Sequence, residues 1–277
     1  MTKKENKKKT MSSDNAVKKQ VASEKKKDKK INKNILSFLN KFKKMFFKIS
    51  SEADIANPKT SLLNINITKD GRTTLLVMFG ILILSYIIFG IGCISTVVLF
   101  VCLITIYFFR DPERVLPETK NAIISPCDGK ILKIETASLP DELGGKDKKE
   151  YTKISVFMNI MDVHIQRIPV NCKVKQIEYI KGTFINATLD KASKDNERNI
   201  VLFERENGDN ICVVQISGFI SRRIVCHIEK EQTCNIGERY GMIKFGSRVE
   251  IYVPKNYKIE VLAGQRVISG ETVVASF

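Results

Sequence analysis

Hydrophobic and polar positions alternate differently in three parts of the chain, and the strongest pattern lies at residues 75–109. These 35 consecutive residues carry no charge. One helix of that length would extend roughly 52 Å, well beyond a hydrocarbon core of about 30 Å. Gly90 and Gly92 lie near the middle. The pattern therefore predicts two short apolar helices that form a membrane-embedded hairpin, in preference to one straight span or a buried helix pair.

Basic residues flank both ends of this segment. Lys69 and Arg72 precede it, and Arg110 and Arg114 follow it. Loops rich in Lys and Arg face the cytoplasm, so both ends and the domain that follows are expected on the cytoplasmic side of the cell (inner) membrane. The segment begins too late in the chain for a signal peptide.

The first fifty residues show two further patterns. Residues 1–34 are rich in Lys and poor in large apolar side chains, which predicts a disordered tail. In residues 35–50, apolar side chains recur at helical spacing with Lys between them. This predicts an amphipathic helix that either lies on an anionic membrane surface or docks on the protein's own core. On the first interpretation, residues 1–50 bind anionic lipid.

Beyond Pro112 the period changes to that of β-strands. Apolar alternation or short apolar runs predict strands at 130–134, 154–158, 174–180, 200–203, 211–216, 223–228, 249–253 and 258–262. The expected fold is mainly β, a sandwich or barrel hybrid spanning residues 110–277.

The composition limits the possible partners. The net charge is +16, but residues 1–50 account for +13 of it, so the predicted domain has no basic face of the kind that binds nucleic acid. The seven Cys residues include no C-x-x-C pair, so we expect neither a disulfide framework nor a metal site. A reducing compartment fits this usage.

Three groups of residues in the sequence could carry chemistry. His164 is one of only two histidines, and strand alternation would place Asp162 on the same face. Such a pair suits a general acid or base, although on spacing alone a structural histidine is the commoner case. Asp128 lies on a tight turn within SPCDG at 125–129, where an aspartate can simply complete an Asx turn.

The pair Gly246 and Ser247 stands between two predicted strands. A Gly-Ser pair there can be a simple bend. It can also be strained enough for the serine hydroxyl to attack the preceding carbonyl, which glycine leaves unhindered. The spacing alone does not choose between the two.

Several motifs together carry a resemblance to a known family. They are YFFRDPER at 107–114, SPCDG at 125–129, FMNIMDVHIQRIP at 157–169, NATLDKAS at 186–193 with NERN at 196–199, GFISRRIV at 218–225 and RYGMIKFGSRVEIYVP at 239–254. In this order they resemble the phosphatidylserine decarboxylase proenzymes of the short bacterial and archaeal type. The likeness runs from about residue 106 to the C-terminus and leaves out residues 1–70.

The resemblance implies a self-processing enzyme. The chain would be cut between Gly246 and Ser247 into a β chain, 1–246, and an α chain, 247–277, which stay together as a heterodimer. Ser247 would become a covalent pyruvoyl cofactor that forms a Schiff base with phosphatidylserine in the membrane and yields phosphatidylethanolamine and carbon dioxide. The lipid backbone could be diacyl or ether-linked.

The resemblance also assigns roles to the candidate residues. Asp128 matches an aspartate that assists the cleavage serine, and Asp162 and His164 match residues linked to decarboxylation. Longer relatives carry a second histidine, the base for self-cleavage, where this chain has Arg167. Either His164 serves both steps, or cleavage relies on Asp128 and backbone strain.

Two other functions are compatible with the residues. A membrane-tethered serine hydrolase could use Asp128, His164 and Ser247, but no G-x-S-x-G turn surrounds the serine. A non-catalytic carrier or scaffold could use Lys191, since Asp190-Lys-Ala192 is similar to the motif of lipoyl domains. The polar run that follows Ala192 does not continue that motif.

Overall fold

The computed structural model describes residues 66–119, 121–144, 149–219, 223–244 and 246–277. The predicted disordered tail at 1–34 and the predicted amphipathic helix at 35–50 lie outside these residues.

Two apolar helices come first in the described chain, α1 (Arg72–Phe89) and α2 (Cys93–Phe108). They are separated at Gly90 and Gly92, where the sequence predicts the break. Gly90 ends α1 with φ at +62°, a left-handed conformation that favours glycine. The segment Lys69–Phe89 is long and apolar enough to cross a membrane, and α2 is a shorter apolar helix. Their insertion in a membrane stays a prediction.

The remainder of the described chain is mainly β, with one short α-helix, α3 (Ala192–Asp195), and a single 3-10 turn at Asp141–Leu143. The strands are β1 (Ala122–Ile124), β2 (Gly129–Ala137), β3 (Tyr151–Met158), β4 (Ile165–Arg167), β5 (Cys172–Ile180), β6 (Arg198–Glu204), β7 (Asn210–Ile216), β8 (Ile224–Cys226), β9 (Thr233–Cys234), β10 (Arg239–Ile243), β11 (Ser247–Pro254), β12 (Lys258–Ile259), β13 (Arg266–Val267) and β14 (Val273–Ser276). The predicted fold class is confirmed.

Three antiparallel sheets assemble from these strands. The largest has the order β13-β2-β3-β11-β7-β6-β5-β9. Two three-stranded sheets have the orders β4-β10-β8 and β1-β14-β12. Strand β11 therefore lies near the centre of the largest sheet, paired with β3 along all its eight residues and with β7 along five.

Both faces of the largest sheet are covered. On one face Val249, Ile251 and Val253 join the main hydrophobic core. On the other face Tyr252 joins a smaller cluster that includes Ile200. Every residue of β11 is buried, including the polar Ser247, Arg248 and Glu250.

Two predicted strands are shorter in the structure. The prediction at 223–228 reduces to β8, and the prediction at 258–262 reduces to β12. In the second case the chain turns away at Leu262, whose backbone N–H donates to the side chain of Gln265 at 3.0 Å. The turn takes up donors that a longer strand would use for pairing.

Candidate active site

One end of the largest sheet brings the sequence-predicted residues together. Ser247 begins β11 and pairs with Met158, the last residue of β3. Strand β2 begins there too, directly after Asp128, with Lys130 paired to Phe157. On the other side of β11, Arg248 pairs with Ile216, the last residue of β7. Segments distant in sequence thus meet around Ser247.

The Gly246-Ser247 junction is closely packed on the side of the Gly246 carbonyl and the serine. Gly246 has φ at +58°, the left-handed region that favours glycine. Its carbonyl oxygen lies only 2.1 Å from where a Cβ at Gly218 would stand, so a side chain at 218 would collide with it. Ser247 is fully buried. The junction combines an unhindered carbonyl with a hydroxyl that is shielded from water.

The Ser247 hydroxyl contacts a sulfur atom. Its Oγ lies 3.4 Å from Met158 Sδ, a weak acceptor. Among the described residues, no hydrogen bond joins this hydroxyl to Asp128, Asp162 or His164. No donor among the described residues bonds to this oxygen, so its lone pairs are available for attack on a carbonyl.

A chain of buried amides extends from Met158 into the core. Gln166 Nε2 lies 3.8 Å from Met158 Sδ. Gln215 Nε2 donates to Gln166 Oε1 at 3.0 Å, and Asn199 Nδ2 donates to Gln215 Oε1 at 2.8 Å. The sequence alone gives these amides no role, although Asn199 and Gln215 each adjoin an apolar run. Together these amides form a hydrogen-bonded chain that ends at the sulfur of Met158.

His164 is fully buried beside the hairpin. Its ring lies 4.3 Å from the Phe108 ring, at the end of α2. Its Nδ1 lies 2.9 Å from the carbonyl oxygen of Asp162. A carbonyl only accepts, so Nδ1 must carry the hydrogen and Nε2 then holds a free lone pair. Nε2 is buried and has no hydrogen-bond partner among the described residues.

The protonation state of His164 follows from this environment. Burial lowers its pKa from 6.5 to about 4, although the carbonyl of Asp162 favours the charged form. The imidazole is therefore neutral at pH 7. A neutral ring with an open, buried Nε2 can accept a proton.

Asp162 does not share a strand face with His164, and that expectation was wrong. Residue 162 lies in the turn between β3 and β4, where its carboxylate accepts from the Asn159 N–H at 2.7 Å and pairs with Arg266. The side chain caps the turn, and this local hydrogen bond outweighs the alternation that the sequence indicated. Its link to His164 runs through the backbone carbonyl.

Asp128 is engaged with two donors. Arg114 Nη2 lies 2.8 and 3.1 Å from its two oxygens, and the Ser269 N–H donates to it at 2.8 Å. Burial raises the pKa of the Asp128 carboxyl, while the Ser269 N–H and Arg114 pull it down. The side chain links the segment after α2 to the sheet end.

Arg167 has a similar linking position. Its guanidinium donates to the carbonyl oxygens of Gly237 and Pro112, each at 3.0 Å, and pairs with Asp111 at 3.4 Å. It is buried and bonded to both backbone and carboxylate partners. Arg167 thus anchors the chain between α2 and β1.

The other candidates lie apart from this group. His227 Nε2 lies 2.9 Å from Asp70 Oδ2 on the hairpin side, with an exposed ring. Lys191 is the N-terminal cap of α3, not the tip of a β-hairpin as a lipoyl lysine would be. His164 is therefore the imidazole of the candidate site.

Comparisons with known proteins agree on one family. A family model described as phosphatidylserine decarboxylase matches residues 102–275. A phosphatidylserine decarboxylase proenzyme of Wolbachia sp. subsp. Brugia malayi is 41% identical over 214 residues, covering 76% of this chain and 91% of that relative. One of Rickettsia typhi is 47% identical, covering 68% and 79%. One of Pelagibacter ubique is 50% identical, covering 61% and 78%.

Proposed function

Because the chain belongs to the phosphatidylserine decarboxylase family, we propose that it is a proenzyme that cuts itself between Gly246 and Ser247. The new terminus would carry a pyruvoyl group, with which the enzyme converts phosphatidylserine to phosphatidylethanolamine. The observation that supports this proposal is the junction at which a left-handed Gly246 precedes a buried serine.

Self-cleavage uses the chain's own atoms. The Ser247 hydroxyl attacks the Gly246 carbonyl carbon, and the peptide bond breaks as an ester forms and the amine of residue 247 is released. Loss of the Cα proton of residue 247 then expels Gly246 as a carboxylate and leaves dehydroalanine. Hydrolysis of its enamine nitrogen releases ammonia and leaves the pyruvoyl group. No added cofactor is consumed.

His164 is the base that fits this step best. Its neutral Nε2 has no partner among the described residues, whereas the carboxylate of Asp128 is occupied by Arg114 and Ser269. We infer that His164 serves both steps: Nε2 takes the hydroxyl proton in cleavage and later delivers a proton to the substrate carbon that has lost carbon dioxide. Asp162 and Asp128 position the surrounding turns.

The site also fits the group that would form there. The pyruvoyl group, once formed, supplies an electron sink for decarboxylation. Gly218 leaves the Gly246 carbonyl space that any side chain would fill, and burial of residue 247 excludes bulk water from the reacting carbon. Met158 packs against the same position.

A membrane location is part of the proposal. The apolar length of Lys69–Phe89 supports insertion of the hairpin into the cell membrane. The flanking cations support a cytoplasmic position for residues 110–277. The lipid substrate would then lie in the same bilayer as the enzyme.

Intact mass of the purified protein tests the reaction. The wild-type chain should give fragments 1–246 and 247–277, the second with a pyruvoyl terminus, and Ser247→Ala should stay full-length and inactive. Ser155→Ala is a matched control, because Ser155 is buried on β3 but contacts Glu250 and Arg248 on the other face of the sheet. An uncleaved but active wild-type chain would rule out the pyruvoyl mechanism, and a lipoylated Lys191 would favour the carrier.

A further inference from the structure

The turn at residues 159–162, between β3 and β4, exposes two large apolar side chains. Ile160 is 38% exposed and Met161 is 53% exposed. The turn is nevertheless well ordered by its own hydrogen bonds: the Asp162 carboxylate accepts from the Asn159 N–H, and the Asp162 N–H donates to the Asn159 carbonyl at 2.8 Å. Turn positions are ordinarily polar, so this pair of side chains indicates an apolar partner.

Arg110 ties this turn to the end of the hairpin. It donates from Nη2 to the Met161 carbonyl at 2.8 Å and from Nη1 to the Tyr107 carbonyl at 2.7 Å. Its guanidinium also lies 3.7 Å from the centre of the Tyr107 ring. Tyr and Arg at the end of an apolar helix are typical of the membrane interface. In a membrane that holds the hairpin, the turn and the end of α2 would therefore lie at the same depth.

The start of α1 would lie at the same depth in the membrane. The Thr68 N–H donates to the Phe109 carbonyl at 3.0 Å, which places Lys69 and Arg72 beside the end of α2. Arg266, paired with Asp162, adds another exposed cation. Exposed cations thus lie near the apolar turn, and they are complementary to anionic lipid and not to a purely apolar protein surface.

The inner side of the turn faces the candidate site. Met158 directly precedes the turn and contacts Ser247, and the Asp162 carbonyl holds His164. A lipid head group at the turn would therefore be close to the reacting residue while its acyl chains stay in the bilayer.

We propose that the turn at 159–162 is a membrane-docking element that lies in an anionic lipid monolayer. Ile160 and Met161 enter the boundary between head groups and acyl chains, about 5–10 Å deep, as interfacial elements do. The turn brings the serine head group to residue 247 from within the membrane, an inference that rests on the proposed function.

The chain contains no Trp, so one introduced Trp reports on its own surroundings. Met161→Trp would be made in the Ser247→Ala chain, so that neither cleavage nor catalysis affects the result. The full chain would be placed in vesicles of phosphatidylcholine and phosphatidylserine, with or without bromine on the acyl chains. We expect a blue-shifted emission and stronger quenching by bromine near the head group than by bromine near the chain end.

Phe277→Trp is the matched control. The Phe277 side chain is 37% exposed, almost the same fraction as that of Ile160. Its ring lies 3.4 Å from the guanidinium of Arg205, which follows β6 at the opposite end of the sheet from Ser247. The emission of the Phe277→Trp variant should not be quenched by bromine at either depth. Ile160→Trp provides a second reporter if Met161→Trp does not fold.

Two results would overturn the proposal. Absence of quenching in both Ile160→Trp and Met161→Trp would show that the turn lies in water. A blue shift in detergent that depends on protein concentration would show that a second copy of the chain covers the turn. Normal wild-type cleavage in either case would leave the proposed reaction intact.

A kinetic experiment connects docking with turnover. The double change Ile160→Ser and Met161→Ser should lower kcat/KM for vesicle phosphatidylserine by at least about tenfold. This is the effect of losing the burial of one large apolar side chain in the membrane. Activity on dissolved short-chain phosphatidylserine should change little. Equal losses on both substrates would contradict the docking role.

Discussion

At the scale of single residues, the Gly246 carbonyl depends on the absence of a side chain at residue 218. A Cβ there would stand 2.1 Å from the carbonyl oxygen. Gly218 itself is not in the left-handed region, so alanine would add a methyl group without backbone strain. Gly218→Ala should therefore displace the carbonyl and slow self-cleavage by about 100-fold, the cost of a 1 Å misplacement. The rate of appearance of fragment 247–277 measures this.

Gly80→Ala is the matched control for this substitution. A Cβ at Gly80 meets no atom within 4 Å, so this variant should be cleaved at the wild-type rate. Wild-type cleavage of Gly218→Ala would mean that the carbonyl does not need the observed position.

The neutral state of His164 predicts an unusual pH dependence. Burial lowers its pKa to about 4, so the base is available throughout the neutral range. Cleavage of freshly synthesised chain should be nearly constant from pH 7 to 5 and fall as pH approaches 4. Because the folded pKa lies below the unfolded value of 6.5, His164 also stabilises the fold fully above pH 6.5, and this stability is lost as pH falls toward 4.

His164→Asn separates the two contributions of the ring. The Asn amide can still donate to the Asp162 carbonyl, but it has no basic nitrogen in the place of Nε2. Cleavage should fall by about 10²–10⁴-fold while thermal stability is largely kept. Efficient cleavage of this variant would exclude His164 as the base. A wild-type profile with a midpoint near pH 6.5 would contradict the lowered pKa of His164.

At the scale of elements, the outer face of β11 is secured by a buried ion pair. Arg248 and Glu250 are 3% and 1% exposed and pair with each other, and Ser193 of α3 contacts both. Glu250→Ala would leave a buried guanidinium without its carboxylate. We expect it to lower the free energy of unfolding by about 3–5 kcal/mol, measured by urea titration in the Ser247→Ala background.

A surface pair gives the comparison for this prediction. Lys175 and Glu204 are both well exposed, so Glu204→Ala should cost less than about 1 kcal/mol. Equal effects of Glu204→Ala and Glu250→Ala would indicate that Arg248 finds water or another partner when Glu250 is removed.

An element can be predicted from sequence when a local pattern marks it, and it is missed when distant partners define it. Strands such as β3 and β7 carry long apolar runs, and their periodicity reveals them. Strands β10 and β13 are short and are defined by partners far away in sequence, so no local pattern marks them. The same holds at the site: the Gly246-Ser247 bend is distinguished by its contact with Gly218, and local spacing contains no trace of that contact.

At the scale of the whole molecule, ion pairs join the hairpin to the sheet end. The segment after α2 contributes Asp111, which pairs with Arg167 and Arg239, and Arg114, which pairs with Asp128. The motif at 107–114 could be identified from sequence. Its structural role could not, because its ion-pair partners come from three other segments. These links hold the apolar helices beside the candidate site.

The position of the proposed cut predicts how the two products behave. Ser247 is the first residue of β11, so cleavage before it removes no strand pairing. The fragment 247–277 keeps β11 between β3 and β7, with pairs from Ser247 and Met158 to Pro254 and Tyr151. It also keeps β14 paired with β1. The two chains should therefore stay together in detergent gel filtration, as a single cooperative unit.

Denaturation should separate the fragments 1–246 and 247–277, which cleavage alone leaves together. The fragments should dissociate only in the urea range that unfolds the uncut Ser247→Ala chain, because release of β11 exposes the main core on one face and the smaller cluster on the other. Elution of fragment 247–277 alone in the absence of urea would contradict this. It would mean that the sheet is held by the covalent connection at Gly246, and not by the pairing and burial of its central strand.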